Sequence, residues 1–284
     1  MPMTSPYASR RVALATRHDK HLAIAPPFAA RLDAQVVVAD VDTDALGTFT
    51  GETPREGTPE ASAERKARLG MAQLGCPLGV ASEGSYGPDP RVPFIAGGVE
   101  LLTFVDDERG LVVHEQMAVP STNFAHRDVT AVEALVDWLP RVGFPDHALI
   151  VRPVGGHEVT IAKGIRDPAT LARAVRSARE ASPEGLAHVA TDMRAHCNPT
   201  RMASIAQLAE RLAERLACAC PHCASPGFGF VRLVGALPCR SCGAPTARGQ
   251  REQWACAACH ANDERPRRDG GVSADPDVCP RCNP

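Results

Sequence analysis

Eight of the eleven cysteines fall into four pairs, each with two residues between the thiols: Cys220/Cys223, Cys239/Cys242, Cys256/Cys259 and Cys279/Cys282. A tight turn at this spacing delivers two thiolates together, and four thiolates satisfy one tetrahedral Zn²⁺. Four pairs therefore make two closed sites, expected to hold two structural zinc ions. Ribbon-type spacing favours pairing in chain order, with Cys220, Cys223, Cys239 and Cys242 on one ion and Cys256, Cys259, Cys279 and Cys282 on the other. A nested arrangement, in which the two middle pairs share an ion, is the alternative. The competing reading is a disulfide framework, which needs an oxidising compartment. The opening MPMTSPYASRR lacks the apolar core of a secretory signal. Cys218 is left over, and Cys76 and Cys197 are expected to be small core residues.

A second set of chemistry-bearing residues is more dispersed. Of the 31 basic residues only Lys20, Lys66 and Lys163 are lysines. Arginine replaces a solvated lysine at little cost, but not a compact point charge on a thin stem. All three fall on or beside polar, small-residue loops: ATRHDK, the loop and helix after AQVVVADVDTD, and AKGIRD. Glu52 and Glu56 share the second loop, Glu83 and Ser85 stand in GVASEGSYGPDP, and Asp192, Arg194 and Arg201 stand in ATDMRAHCNPTR. Lysines and carboxylates converging at strand ends suit a polyphosphate with a hard divalent cation such as Mg²⁺. Glu83 would then end a buried strand with its carboxylate fixed at the metal. The plainer alternative is that Glu83 caps a turn or pairs with an arginine. The helix start at Asn198 is either an anion site or a capped terminus whose arginines pair with Asp192.

The elements that would position these residues read as α/β. RVALAT, AQVVVADVDTD and CPLGVAS are strand-like, the last ending at Glu83, and helical patterns lie between them. The helix DKHLAIAPPFAARL is expected to bend at Pro26 and Pro27. Thr58, Asp167 and Asn198 each precede a proline and a helical pattern, so each reads as a cap. AVEALVDWLPRVG reads as helical. Two hairpins, ELLTFVDD/LVVHEQMAV and HALIVRPV/EVTIAKGI, would make the sheet mixed. Met202, Ile205, Leu208, Leu212 and Leu216 form an apolar stripe on a last long helix. The expected fold is a mixed, partly parallel sheet flanked by helices over residues 1–217, then a small double zinc ribbon over 218–284. NDERPRRDGGVSADPD, between the last two cysteine pairs, reads as a mobile loop.

VALATRHDK, REGTPEASAERKA and PLGVASEGSYG, in this order, resemble the motifs of the inosine/xanthosine triphosphate pyrophosphatase superfamily. The resemblance implies Thr16 and Lys20 at phosphate, with His18 a further candidate on the same loop, Glu52 or Glu56 near a metal, Lys66 at phosphate, and Glu83 as metal ligand or base. His18 stands where that superfamily has asparagine, and no counterpart of its purine-pocket motif is present. The chain, with GTFTGE, TDMRAHCNPTRM and the final CNP, also resembles an uncharacterised bacterial family with a cysteine-rich C-terminus.

A net charge of −2 gives no global basic field. From residue 218 on, eight arginines face six acidic residues, and each filled four-thiolate site adds about −2. Nucleic acid is therefore not an expected partner. No window approaches the ~18 apolar residues of a membrane span, so a cytoplasmic protein is expected. The functional expectation is a Mg²⁺-dependent nucleotide phosphohydrolase-like protein with a structural zinc tail. The alternative is a nucleotide-binding sensor or adaptor whose zinc tail docks a protein partner.

Overall fold

The computed structural model describes residues 5–42, 57–88, 96–155 and 162–284. The chain divides into two compact units, Tyr7–Leu212 and Ala213–Pro284 with Met1–Pro6.

The larger unit contains two sheets. In the first, β1 (Arg11–Ala15) lies parallel to both β2 (Gln35–Ala39) and β3 (Leu78–Pro88). The antiparallel strands β4 (Ala96–Asp106) and β5 (Leu111–Val119) complete the order β2-β1-β3-β4-β5. This is the expected mixed, partly parallel sheet. Helices α1 (His21–Leu32) and α2 (Pro59–Leu74) supply the crossovers. Thr58 Oγ1 accepts from Ala61 N at 3.2 Å and caps α2 as expected. Helix α1 runs through Pro26 and Pro27 without a break; its buried Ala23, Ile24, Phe28 and Leu32 hold one face on the core.

Strand β3 corrects the sequence reading. It does not stop at Glu83, because β4 pairs with it residue by residue as far as Pro88↔Ala96. The glycines of EGSYGP thus lie within a strand. Opposite them on β4, Gly98 leaves room for Tyr86, since a Cβ there would run into the Tyr86 ring.

Facing residues alternate across this pair. Ala81 packs with Ala13, Ala67, Met71 and Val105 against α2, so Glu83, two residues on, faces α2 as well. Val80, Ser82, Gly84 and Tyr86 face the other way, opposite Phe104, Leu102, Glu100 and Gly98. On that side Phe104 meets Tyr7 and Phe28, with ring centroids 5.1 and 6.2 Å apart.

The second hairpin does not join this sheet. Strands β6 (His126–Val129), β7 (Leu149–Pro153), β8 (Ala162–Ile165) and β9 (Ala187–Thr191) form a separate antiparallel sheet of order β6-β9-β7-β8. Helix α3 (Pro168–Ala181) packs on it, capped by Asp167, whose Oδ1 accepts from Thr170 N at 2.8 Å. The helix expected over AVEALVDWLPRVG is two 3₁₀ turns, Val132–Leu135 and Pro140–Val142. Pro140 has no N–H for a continuing α-helix, and Gly143 turns the chain at φ +78°.

Helix α4 (Pro199–Ala217) is capped by Asn198, which accepts from Arg201 N at 3.0 Å. Its Ile205, Leu208, Leu212 and Leu216 are fully buried, as the stripe predicts.

In the smaller unit β10 (Gly229–Val234), β11 (Arg251–Ala255) and β12 (Asn262–Pro266) form an antiparallel sheet in that order. Strand β12 falls in the segment expected to be a loop. Its Arg265 lies over the Trp254 ring at 4.3 Å, and the ring holds a second guanidinium, Arg268, at 5.3 Å. Cation–π contacts and the β11 ladder order a segment whose composition alone reads as solvated.

Candidate functional site

Each cysteine pair sits on a tight knuckle. The backbone closes it with bonds such as Ala224 N to Cys220 O at 2.9 Å and Gly243 N to Cys239 O at 2.9 Å. The residue after the second cysteine is left-handed in three knuckles: Ala224, Gly243 and His260. Backbone N–H groups of His222 and Ala258 point at Cys220 Sγ (3.4 Å) and Cys256 Sγ (3.3 Å).

The pairs combine as Cys220, Cys223, Cys256 and Cys259, and as Cys239, Cys242, Cys279 and Cys282. Neither the chain-order nor the nested pairing is correct: the sites interleave, first pair with third and second with fourth. Strand pairing is the cause, because β10–β11 brings the knuckle before β10 beside the knuckle after β11. Within the sites, Sγ–Sγ separations are 3.8 Å (Cys220–Cys259), 3.7 Å (Cys223–Cys256), 3.9 Å (Cys239–Cys282) and 3.7 Å (Cys242–Cys279). A tetrahedral ion with bonds of about 2.3 Å needs sulfurs about 3.8 Å apart, whereas a disulfide needs about 2.05 Å. Both sets therefore fit a metal ion such as zinc. Cys218 stays outside them, packed beside Cys220, Phe228 and Cys256. Cys197 is buried and Cys76 partly so, packed against the α2 core.

The second candidate site lies in the larger unit, where β3 runs beyond the end of β1. Lys20, at the start of α1, donates from Nζ to the Ser82 carbonyl at 3.2 Å. Burial, with Arg201 close by and Glu100 and Glu83 opposing, brings its ammonium down to about 8. On the α2 side, Glu83 forms a buried ion pair with Lys66 and accepts from Ser62 Oγ at 3.3 Å. Across the sheet, Arg201 Nε donates to Glu100 Oε1 at 2.6 Å; their side chains are 2% and 0% exposed. Tyr86 OH also donates to Glu100 Oε1, at 2.8 Å, and burial with the Glu100 charge raises its pKa. Among the described residues, Glu100 Oε2 and Ser82 Oγ are buried and find no hydrogen-bond partner.

Glu83 is thus not a strand-end carboxylate but a mid-strand partner of Lys66. Gly84 separates the two ion pairs. A Cβ there would stand 2.8 Å from Glu100 Oε1 and closer still to Arg201 Nη2. Gly84→Ala is expected to cost about 1–3 kcal/mol, read by chemical denaturation; a loss below the resolution of that measurement would contradict this packing.

The loop after β1 closes the site. Thr16 Oγ1 accepts from His18 N at 3.3 Å. The His18 ring stacks on His196, with centroids 5.0 Å apart. Arg194 grips Asp192, Nε to Oδ1 at 3.0 Å and Nη2 to Oδ2 at 2.6 Å. Against its burial, this holds the Asp192 carboxyl below its usual range. Gly164 N also donates to Asp192, at 3.1 Å, which ties in β8 and its half-buried Lys163. At the α4 start Arg194 pairs with Asp192, as the plainer of the two expectations has it, whereas Arg201 pairs with Glu100. Ser85 is exposed. Glu52 and Glu56 lie outside the described residues. Among those described, the only groups of three or more potential metal ligands are the two cysteine sets.

Sequence reasoning missed Glu100, Ser62, Tyr86 and His196. A lone acid opening the apolar run ELLTFVDD was the available signal for Glu100.

Burial, then the cations Lys20, His196, Arg194 and Arg201, bring His18 down to about 3. The folded protein keeps this ring neutral while the unfolded chain protonates it below about 6.5. Stability is therefore lost as pH falls from about 6.5 towards 3. His18→Gln should flatten the fall in Tm between pH 7 and 4; parallel curves for the two proteins would contradict the assignment.

These features define a two-unit protein, an α/β unit with a buried charge cluster and a unit built on two interleaved four-cysteine sites. Residues 66–284 match a domain of unknown function (DUF6671), and the chain belongs to that family. No curated protein and no solved structure matches it. The match begins within α2 and does not reach the β1 loop; nothing found supports the resemblance to the triphosphate pyrophosphatases. Among the described residues no helix is long and apolar enough to cross a membrane.

Proposed function

We propose that the Tyr7–Leu212 unit binds a phosphorylated small molecule of nucleotide type and hydrolyses a phosphoanhydride in it. The Ala213–Pro284 unit, on this reading, carries two structural zinc ions and serves stability and partner docking. One observation carries the first half: Lys20, Lys66 and Arg201 converge on the middle of β3, and among the described residues the carboxylates paired with them are Glu83 and Glu100. That leaves one positive charge in a largely buried setting, where an anion is strongly held. The buried Glu100 Oε2, without a hydrogen-bond partner among the described residues, supports the reading of a cluster not arranged for stability alone. Lys20 would meet phosphate as a point charge, with Thr16, His18, Lys163, Asp192 and Arg194 at the rim. Mg²⁺, if required, would draw on Glu52 or Glu56.

A second reading, a nucleotide sensor without turnover, is favoured by the commitment of both carboxylates to cations. The test is phosphate and pyrophosphate release from a nucleotide panel, including inosine and xanthosine triphosphates, with and without Mg²⁺, alongside thermal protection. Release that falls at least tenfold in Lys20→Met supports the enzyme. Protection without release, lost in the same variant, supports the sensor. Neither release nor protection ends both readings.

A further inference from the structure

The smaller unit carries a cavity of about 340 Å³ that opens widely to solvent. One wall is the 237–248 hairpin that carries Cys239 and Cys242; the other is the 267–278 segment leading to Cys279. The two are joined by Ala274 N to Pro238 O at 2.9 Å and Arg240 N to Ala274 O at 3.0 Å. The floor is apolar, with Leu237 and Ala274 almost fully buried and Val278 beside them. Four of the charged groups around it are already matched, in two pairs. Arg267 pairs with Asp269 and donates to the Gly249 carbonyl at 2.6 Å, and Arg240 pairs with Asp275 at 2.6 Å. Arg248, Ser273 and Asp277 also line the cavity, and among the described residues their side chains make no ion pair or hydrogen bond.

One unmatched guanidinium and one unmatched carboxylate over an apolar floor select a ligand with both charges. A phosphate dianion would satisfy Arg248 but face Asp269, Asp275 and Asp277. A simple cation would satisfy Asp277 and leave Arg248 idle. The volume is at the lower end of the roughly 300–1,000 Å³ of small-molecule sites. We propose that this cavity binds a zwitterion of amino-acid to dipeptide size, its carboxylate on Arg248, its ammonium on Asp277, and a short apolar side chain over Leu237 and Ala274. Arginine suits the carboxylate because its fork can pair with both oxygens. The same chemistry is offered by a free small molecule or by the amino end of a peptide with an acidic residue next in line. Because both walls end in ligands of the second cysteine site, a metal ion there would hold the cavity open.

The test is calorimetric titration of the zinc-loaded full chain, and needs no phosphate ligand, so it stands apart from the function proposed above. The probes are Ala-Ala, N-acetyl-Ala-Ala, Ala-Ala amide and the peptide Ala-Glu-Gly-Gly-Gly-Gly. Saturable binding of Ala-Ala is expected, weakened at least tenfold by Arg248→Ala and by Asp277→Asn, two exposed positions whose replacement leaves the fold intact. Acetylation should weaken binding to the wild type and abolish the effect of Asp277→Asn; amidation should do the same for Arg248→Ala. Binding of the hexapeptide but not Ala-Ala would place the natural ligand on a peptide end. No saturable binding by any zwitterion, or binding unaffected by both substitutions, overturns the proposal.

Discussion

The double variant Cys220→Ser/Cys256→Ser is expected to keep one tightly bound zinc ion per chain, Cys220→Ser/Cys239→Ser none, and the wild type two. This result separates the interleaved sites from both alternatives. Cys220 and Cys256 serve the same site, so their joint loss spares the other. Under chain-order or nested pairing the same two substitutions would damage both sites. Native mass spectrometry reads the count directly; loss of both ions from the first variant would refute the interleaving. The effect on folding should be large. Structural zinc binding is worth about 10–16 kcal/mol in small modules at neutral pH, and a unit whose apolar core beyond the knuckles is as small as Phe228, Leu237 and Ala274 with Trp254 beside Phe228 has little to replace it. Chelation should therefore abolish the cooperative unfolding of the Ala213–Pro284 unit.

The second large effect is at Arg201. Arg201→Met strips Glu100 of its guanidinium while the carboxylate stays fully buried. Removing one partner of such a pair costs about 3–5 kcal/mol. Glu100→Gln leaves the opposite charge stranded and should cost a comparable amount. The double variant Arg201→Met/Glu100→Gln should recover most of the loss, because no charge remains buried alone. Urea denaturation of the four proteins gives the coupling directly. Single losses below about 1 kcal/mol, or strictly additive losses, would show that the pair is solvated in solution. If phosphate protection is also lost in the double variant while stability returns, Arg201 serves the ligand as well as the fold.

The cysteine spacing, the three helix caps and the front half of the sheet were legible because each is a local signal. A pair two residues apart must form a knuckle, and Thr58, Asp167 and Asn198 satisfy N–H groups three residues on. Other features depended on partners distant in sequence. Glu83 reads as a strand end because Gly84 and Gly87 look like turn residues; β4 overrides them by pairing through Pro88. NDERP reads as a loop on composition, and β11 makes it a strand. The second hairpin has the pattern of any hairpin, and only β9, inserted between β6 and β7, assigns it to a separate sheet.

By itself, then, the sequence determined that this is a mixed α/β protein with eight paired thiols and a scarce set of lysines beside polar loops. The tertiary structure decided which thiols share a site, and that Glu83 meets Lys66 while Glu100 meets Arg201. The physical reason is the same in each case. Side-chain spacing along a chain specifies what one turn or one strand can present, but long-range strand register chooses the neighbour, and a buried charge or an open metal valence is satisfied by its neighbour in space.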